Sequence, residues 1–393
     1  MEESRWVRTA CKYRLYPTAE QEQEQEQEQA QALAKMLETH RRLYNQALAE
    51  RTAAWEREQR TVPYGQQSAH LKDERTTNAF LARTNFSSCQ ATLRHLDRAF
   101  HAFVRRVKAG ETPGYPRFKG CNRFATVEFP SYGDGCKVDG RLVYFQHIGL
   151  VKVKLHRPME GTIKTIAFPR EADGWHVVCS CELPAPEMPP SPLPATGIDL
   201  GLKVFVVTAD GREIAPPRCY RQAQAALRRA QRAVARKQKG SHRRRKAAQR
   251  LATAHLQVAN QRRTFHHHVG RQLISQHGMI AHQALNIPGI ARSRLAKSTH
   301  DVGWGQFLHI LHSKTEGAGV RVIAVPAANT TQQCSACGAL PETPEQRKAL
   351  GDRVHRCPSC GYVADRDRNA AQNILRLGRS LQALTWPTGA CVA

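Results

Sequence analysis

Thr196-Gly-Ile-Asp-Leu-Gly-Leu-Lys-Val-Phe-Val-Val-Thr208 is an apolar run broken by one acid, Asp199. Such a run reads as a buried strand, and an uncompensated carboxylate inside one is costly. Taken alone, an aspartate near a strand end is usually a hydrogen-bonded turn residue. A second acid, Asp367, opens Asp-Arg-Asn-Ala-Ala-Gln-Asn-Ile-Leu (367–375), which turns into a helix with small residues able to pack on a sheet. The shared context of these two acids is what marks a site. Between them, Gly278–Ile287 (GMIAHQALNI) reads as a core strand, Gln306–Lys314 as a helix and Val320–Val325 as a further strand. Strands alternating with helices predict an α/β core, from about Ser191 to Ser380.

The chain before this core has a different texture. Cys11–Pro17 alternates like a short strand. The Glu-Gln repeat from Glu20 to Gln29 has good helix propensity and no apolar stripe, so it is expected to be an exposed extension of the next helix. That helix carries Leu33, Met36, Leu37, Leu43, Tyr44 and Leu48 at helical spacing, and a second runs from Leu93 to Val107, ended by Gly110 and Pro113. From Gly114 to Glu182, Pro and Gly punctuate short β-rich runs: Ala125–Phe129, Arg141–Phe145, Leu150–Leu155, Ile163–Phe168 and Trp175–Leu183. Strands at this spacing predict a small β-barrel. The proline-rich Pro184–Pro194 reads as a domain boundary.

Charge narrows the partners. Against 33 Asp+Glu stand 59 Lys+Arg, a net charge of +26. A surplus this large indicates a polyanion partner. No apolar run approaches the ~20 residues a spanning helix needs, and Met1–Arg14 lacks a signal-peptide core. Nucleic acid is therefore expected rather than a membrane, in the cytoplasm of a prokaryote and on the nucleoid when DNA is bound. From Ile214 to His300 there is no Asp or Glu, while Arg228, Arg229, Arg232, Arg236, Lys237, Lys239, Arg243, Arg244, Arg245 and Lys246 cluster. Solvated helix faces interleave signs; an acid-free stretch of this length fits a phosphate-facing surface.

Of the 12 cysteines, four fall in two CxxC pairs, Cys334/Cys337 and Cys357/Cys360, and the rest are scattered. Two such knuckles complete one closed, structural four-thiolate zinc site, and Gly338 and Gly361 suit the tight turns that follow. A pair of disulfides or chance are the alternatives.

At this point the chain resembles the TnpB family, relatives of type V CRISPR effectors. The resemblance rests on GIDLGLK (197–203), CSACG, CPSCG and ADRDRNAAQNIL (364–375). It extends to YRLYPTAEQ (13–21), RLYNQAL (42–48), GYPRFKG (114–120), NQRRTFHH (260–267) and GWGQFLHILHSKTEGAGVRVIAV (303–325), all in family order. Only the Glu-Gln repeat and the tail after about Leu381 stand outside it. The resemblance implies an RNase H-like, RuvC-type core over 191–333 and 361–380, with the zinc ribbon (334–360) inserted. It further implies a wedge barrel over 1–17 and 114–190, a helical recognition domain over 18–113, and a tail over 381–393. It implies a guide RNA made from the transposon end, double-stranded target DNA cut next to a short adjacent motif, and two Mg²⁺ ions with Asp199 and Asp367 as ligands. Two-metal hydrolysis of a phosphodiester independently calls for carboxylates around ions roughly 4 Å apart.

One position departs. Where the family carries a glutamate before Leu-Asn, this chain has His282-Gln283-Ala284-Leu285-Asn286. Gln283 offers no charge. Either another acid serves as third catalytic and magnesium ligand, with Glu316 expected and Asp365 a further candidate, or the protein is a nuclease-dead guided binder acting as a repressor. A zinc-ribbon DNA-binding protein without guide RNA is the third class; it accounts for charge and cysteines but not for the acids.

Overall fold

The computed structural model describes residues 6–16, 23–121, 123–185, 191–349 and 351–385, in two compact units, Met1–Pro184 and Ala185–Ala393. Three residues of the Glu-Gln repeat (20–22) and the last eight of the chain lie outside the described residues.

In the first unit, strand β1 (Trp6–Tyr16) is followed by helices α1 (Gln23–Glu58), α2 (Tyr64–Thr77), α3 (Ala79–Ala82) and α4 (Phe86–Lys108). Then come β2 (Thr126–Phe129), β3 (Cys136–Asp139), β4 (Leu142–Phe145), β5 (Gly149–Lys154), β6 (Thr162–Glu171) and β7 (Gly174–Pro184). All seven strands join one sheet in the order β2-β6-β7-β1-β5-β4-β3, so the four helices are an insertion between β1 and β2. β1 is longer than its sequence pattern showed, because it pairs antiparallel with β7 from Trp6↔Pro184 to Arg14↔His176. Alternate residues Cys11, Tyr13 and Leu15 enter the core with Val177, Cys179 and Cys181. Phe145 of β4 lies 4.2 Å from Phe168 of β6, although these strands are far apart in the sheet order. The sheet must curl to bring them together. Helix α2 escaped prediction because only Leu71 and Gln67 are buried along it, too few for an apolar stripe.

The second unit opens with β8 (Ala195–Leu200), β9 (Val206–Thr208) and β10 (Glu213–Ile214), and a helical hairpin of α5 (Cys219–Ala235) and α6 (His242–Gln276) follows. Next come β11 (Met279–Gln283), α7 (Ile287–Ile290), α8 (Ala296–Val302), α9 (Trp304–Thr315), β12 (Arg321–Val325), the short strands β13 (Val354–Arg356) and β14 (Val363–Asp365), and α10 (Arg366–Thr385). The run at 196–208, expected as one strand, is two: the chain turns at Gly201–Val204 and β9 pairs back antiparallel on β8. The five-stranded order is β10-β9-β8-β11-β12, with β8, β11 and β12 parallel. One sheet face packs Ile198 and Ile280 against Val269 and Leu273 of α6 and Phe307 and Leu311 of α9. The other takes α10, through Ala281, Ile374 and Leu377. Gly197 makes that second layer possible: a Cβ there would lie 2.1 Å from the carbonyl oxygen of Ala371. Only glycine lets the helix ride this close to β8.

Candidate metal centres and nucleic-acid face

Asp199 stands one residue before the end of β8, on the sheet face that α10 covers, and is 8% exposed. Asp367 enters from the first turn of α10. Burial, then the negative field of Asp367 and a smaller one from Asp365, pushes the Asp199 carboxyl up to about 7, against the pull of Arg366 and the Leu200 N–H. The aspartates named from sequence are thus near enough for the charge of one to act on the other. On Asp367, Oδ1 takes the Arg366 guanidinium at 3.0 Å and Oδ2 faces Arg353 at 3.7 Å. Two arginines therefore supply the counter-charge of Asp367. Asp365 Oδ1 accepts from the N–H groups of Asp367 (2.8 Å) and Arg368 (3.1 Å), capping α10. Its charge is one of those felt at Asp199.

The parallel register pairs His282 with Ile198, so the next step puts Gln283 level with Asp199 and on the same face. Gln283 is 6% exposed and its Nε2 donates to Thr330 Oγ1 at 2.6 Å; Thr330 Oγ1 in turn donates to Ala327 O at 3.1 Å. The neutral amide is built into a hydrogen-bonded chain, beside the aspartates but without charge to offer.

Glu316 is not part of this group. Helix α9 packs on the opposite sheet face from α10 and ends at Thr315, and Glu316 is exposed. The chain then enters β12 at Arg321, level with Met279, the first residue of β11. That is four residues, or about 13 Å, from Gln283 along the strand. A helix antiparallel to the following strand ends near that strand's start, so Glu316, expected beside the aspartates, stands on the approach to β12, whereas Asp199 and Gln283 stand at the ends of β8 and β11.

The ribbon geometry is complete. The four sulfurs of Cys334, Cys337, Cys357 and Cys360 lie within 4.8 Å of one another, with Cys334–Cys360 at 3.8 Å and Cys337–Cys357 at 3.6 Å. A tetrahedron of thiolates on zinc at ~2.3 Å needs edges of about 3.8 Å, whereas a disulfide needs ~2.05 Å. The donor set fits zinc. Gly338 (φ 79°) and Gly361 (φ 74°) make the predicted turns. Desolvation raises the Cys357 thiol, but the Cys360 and Ser359 N–H groups and the Cys337 thiol outweigh it and bring it down to about 6, while the neighbouring thiols push Cys360 up to about 12.

Sequence reading missed what binds ribbon to sheet. Asn369 and Asn373 are fully buried. Asn369 Oδ1 accepts from the Ser335 N–H at 2.9 Å, and Asn373 Nδ2 donates to the carbonyls of Thr330 and Gln333 at 3.0 and 2.8 Å. Polar residues at helical spacing on a face that also holds Ala370 and Ala371 were the available signal.

The acid-free stretch forms the α5–α6 hairpin, packed through Leu227, Val258 and Leu251. Arg228, Arg229, Arg232, Lys239, Arg243, Arg245 and Lys246 are exposed on it, and Lys237 is half-buried. Arg244 differs: it donates to the carbonyls of Val234 (3.0 Å) and Lys237 (2.9 Å), closing the end of α5. Asp301, the first acid after the stretch, is spent structurally. Its carboxylate accepts from the N–H groups of Tyr220 (2.7 Å) and Arg221 (3.2 Å) at the start of α5.

Family models match at residues 304–374 ("Cas12f1-like, TNB domain"), 178–294 ("Probable transposase") and 1–60 ("Helix-turn-helix domain"). A Streptomyces pristinaespiralis protein named "Putative RNA-guided DNA endonuclease" is 32% identical over 96% of this chain and 91% of its own length. The chain belongs to the TnpB family. InsQ of Escherichia coli (strain K12), under the same description, is 27% identical over 95% of the chain and 93% of its own. A Cas12f1 chain solved with guide RNA and target DNA superposes with a TM-score of 0.57 at 15% identity, covering 88% of this chain and 82% of that one, which shows a shared fold. The described part of residues 1–60 in this TnpB chain is a strand and one long helix rather than a helix-turn-helix. Among the described residues no helix is long and apolar enough to cross a membrane.

Proposed function

We propose that this protein is an RNA-guided DNA endonuclease that hydrolyses target DNA with Mg²⁺. The observation that carries the reading is the meeting of Asp199 and Asp367 at one end of a five-stranded sheet, in a chain that aligns nearly end to end with proteins described as RNA-guided DNA endonucleases. The mixed sheet order with α10 on one face supports an RNase H-like, RuvC-type core, and the curled sheet carrying an inserted helical segment supports the wedge and recognition assignments.

The acid end fits a cation: a buried carboxylate with two more beside it lacks the counter-charge it needs. Divalent ions held there supply activation of the attacking water and stabilisation of the leaving oxygen. Asp199 and Asp367 would hold them, and Asp365 would add a third carboxylate while its Oδ1 keeps the helix cap. Arg366 and Arg353, which pair with Asp367 here, would be free to take the DNA phosphate once a metal replaced them. Base pairing with a guide RNA reads sequence, and the α5–α6 arginines and lysines grip backbones.

Gln283 supports a second reading, a guided binder that does not cut, because its amide is neutral and its NH2 group is engaged by Thr330. The test is a cleavage assay with the cognate transposon-end RNA, target DNA and Mg²⁺. Wild type cuts and Asp199→Ala binds without cutting. If wild type binds and does not cut, the repressor reading replaces the nuclease; if no defined RNA co-purifies, both give way to a guide-free zinc-ribbon protein.

A further inference from the structure

We propose a second transition-metal site on the β6–β7 hairpin of the first unit, formed by Glu171, Asp173 and His176. Glu171 ends β6, Asp173 sits in the two-residue turn, and His176 is the third residue of β7, so one short rigid hairpin carries all three. Gly174, at φ 131°, closes the turn. One ligand atom from each residue lies within 4.8 Å of the others.

The second observation is a buried imidazole with its Nδ1 unpartnered. His176 is 7% exposed, its Nδ1 has no hydrogen-bond partner, and its Nε2 is 3.6 Å from Asp173 Oδ2, longer than a hydrogen bond. Asp173 Oδ1 is also buried without a partner. Buried polar atoms are nearly always satisfied, and leaving one unpaired costs roughly 1–3 kcal/mol. One buried nitrogen and one buried oxygen without partners, on residues whose ligand atoms already stand within 4.8 Å of one another, point to an ion held by this trio.

One imidazole and two carboxylates select a borderline divalent ion of the zinc type over Mg²⁺ or Ca²⁺, which prefer all-oxygen sites. Two cations are nearby. Arg14, the register partner of His176, donates to the Asp173 carbonyl at 2.7 Å and leaves the carboxylates free. Lys12 pairs with Glu171, and its side chain is 27% exposed on a long stem able to swing into water. Metal and the Lys12 ammonium therefore compete for Glu171.

The test uses the full chain with its ribbon already zinc-loaded, titrated with Zn²⁺ in a calorimeter. Wild type takes one further equivalent, His176→Gln and Asp173→Asn lose it, and Lys12→Met binds roughly tenfold more tightly because the competing cation is gone. Uptake by wild type of no equivalent beyond the ribbon's overturns the proposal. So does equal uptake by wild type and both ligand variants. Should a ligand variant fail to fold, Lys12→Met decides: affinity equal to wild type overturns the site.

Discussion

The α5–α6 hairpin and the acid end of the five-stranded sheet belong to one unit and have opposite defects of charge. On the hairpin, Arg228, Arg229, Arg232, Arg243, Arg245 and Lys246 are exposed with no acid from Ile214 to His300 to meet them. At the sheet end, Asp199, Asp365 and Asp367 are gathered with Arg366 and Arg353 as makeshift counter-ions. The helices of the first unit show what a self-sufficient surface looks like. There Arg41 and Arg42 both reach Glu38, at 2.6 and 2.9 Å, and Arg51 reaches Asp97 at 3.0 Å. On the proposed reading, the surplus charge of the first region is for phosphates and that of the second for cations.

The largest effect expected from this contrast is on stability. Asp199 is raised to about 7, well above an unfolded aspartate near ~3.9. Between these values the native state keeps a proton that the unfolded chain has lost. Stability of the zinc-loaded, Mg²⁺-free protein should therefore fall as pH rises from about 4 to about 7, by up to ~4 kcal/mol. Denaturant midpoints at pH 5 and pH 8 for wild type and Asp199→Asn measure it. The variant should lack this component of the fall, and added Mg²⁺ should restore wild type at pH 8. Equal pH dependence in both proteins would mean the acid end is already balanced internally.

Next in size is the hairpin. Arg243→Ala, Arg245→Ala and Lys246→Ala together should remove about three phosphate contacts, flatten the log–log salt slope by about 3 and weaken nucleic-acid binding roughly a hundredfold at 0.15 M salt. Arg244 is kept, because its loss would unfasten the end of α5. An unchanged slope would leave these cations as mere surface.

How far sequence reached follows the same division. The zinc cysteines and both aspartates were legible because spacing and context act locally: a knuckle is four residues, and a lone acid in an apolar strand is visible wherever the strand lies. The β8–β9 hairpin was misread as one strand, since two buried antiparallel strands and their turn at Gly201–Val204 share one apolar texture. Helix α2 left no stripe to read. The ends of the sheet were the deeper gap. Which acid joins Asp199 depends on strand direction and on the layer each helix occupies, and neither is written in any single segment.

Asp365→Asn sharpens the membership of the acid end. Asparagine caps a helix as well as aspartate does, so α10 should hold while one negative charge disappears. Cleavage should fall about tenfold and require more Mg²⁺, a loss near 1.4 kcal/mol of transition-state stabilisation. A rate equal to wild type would confine Asp365 to capping.

The smallest expected effect is at Glu316, and its smallness carries information. Sequence order made Glu316 the natural replacement for the charge that Gln283 lacks, since it follows a helix and precedes a core strand. In the fold it lies outside α9, across the sheet from α10, and on the approach to β12 rather than its exit. Ligands of one metal pair must converge within a few ångströms, whereas the strand ends here are separated by about 13 Å. Glu316→Ala should therefore cut guided target DNA within about twofold of the wild-type rate and bind it equally, the range in which exposed substitutions usually fall. Loss of cutting with binding intact would return Glu316 to the site and require α9 to rearrange on nucleic-acid binding. Measured beside Asp365→Asn, it decides whether the missing charge is restored locally, from the segment that already delivers Asp367, or from across the sheet.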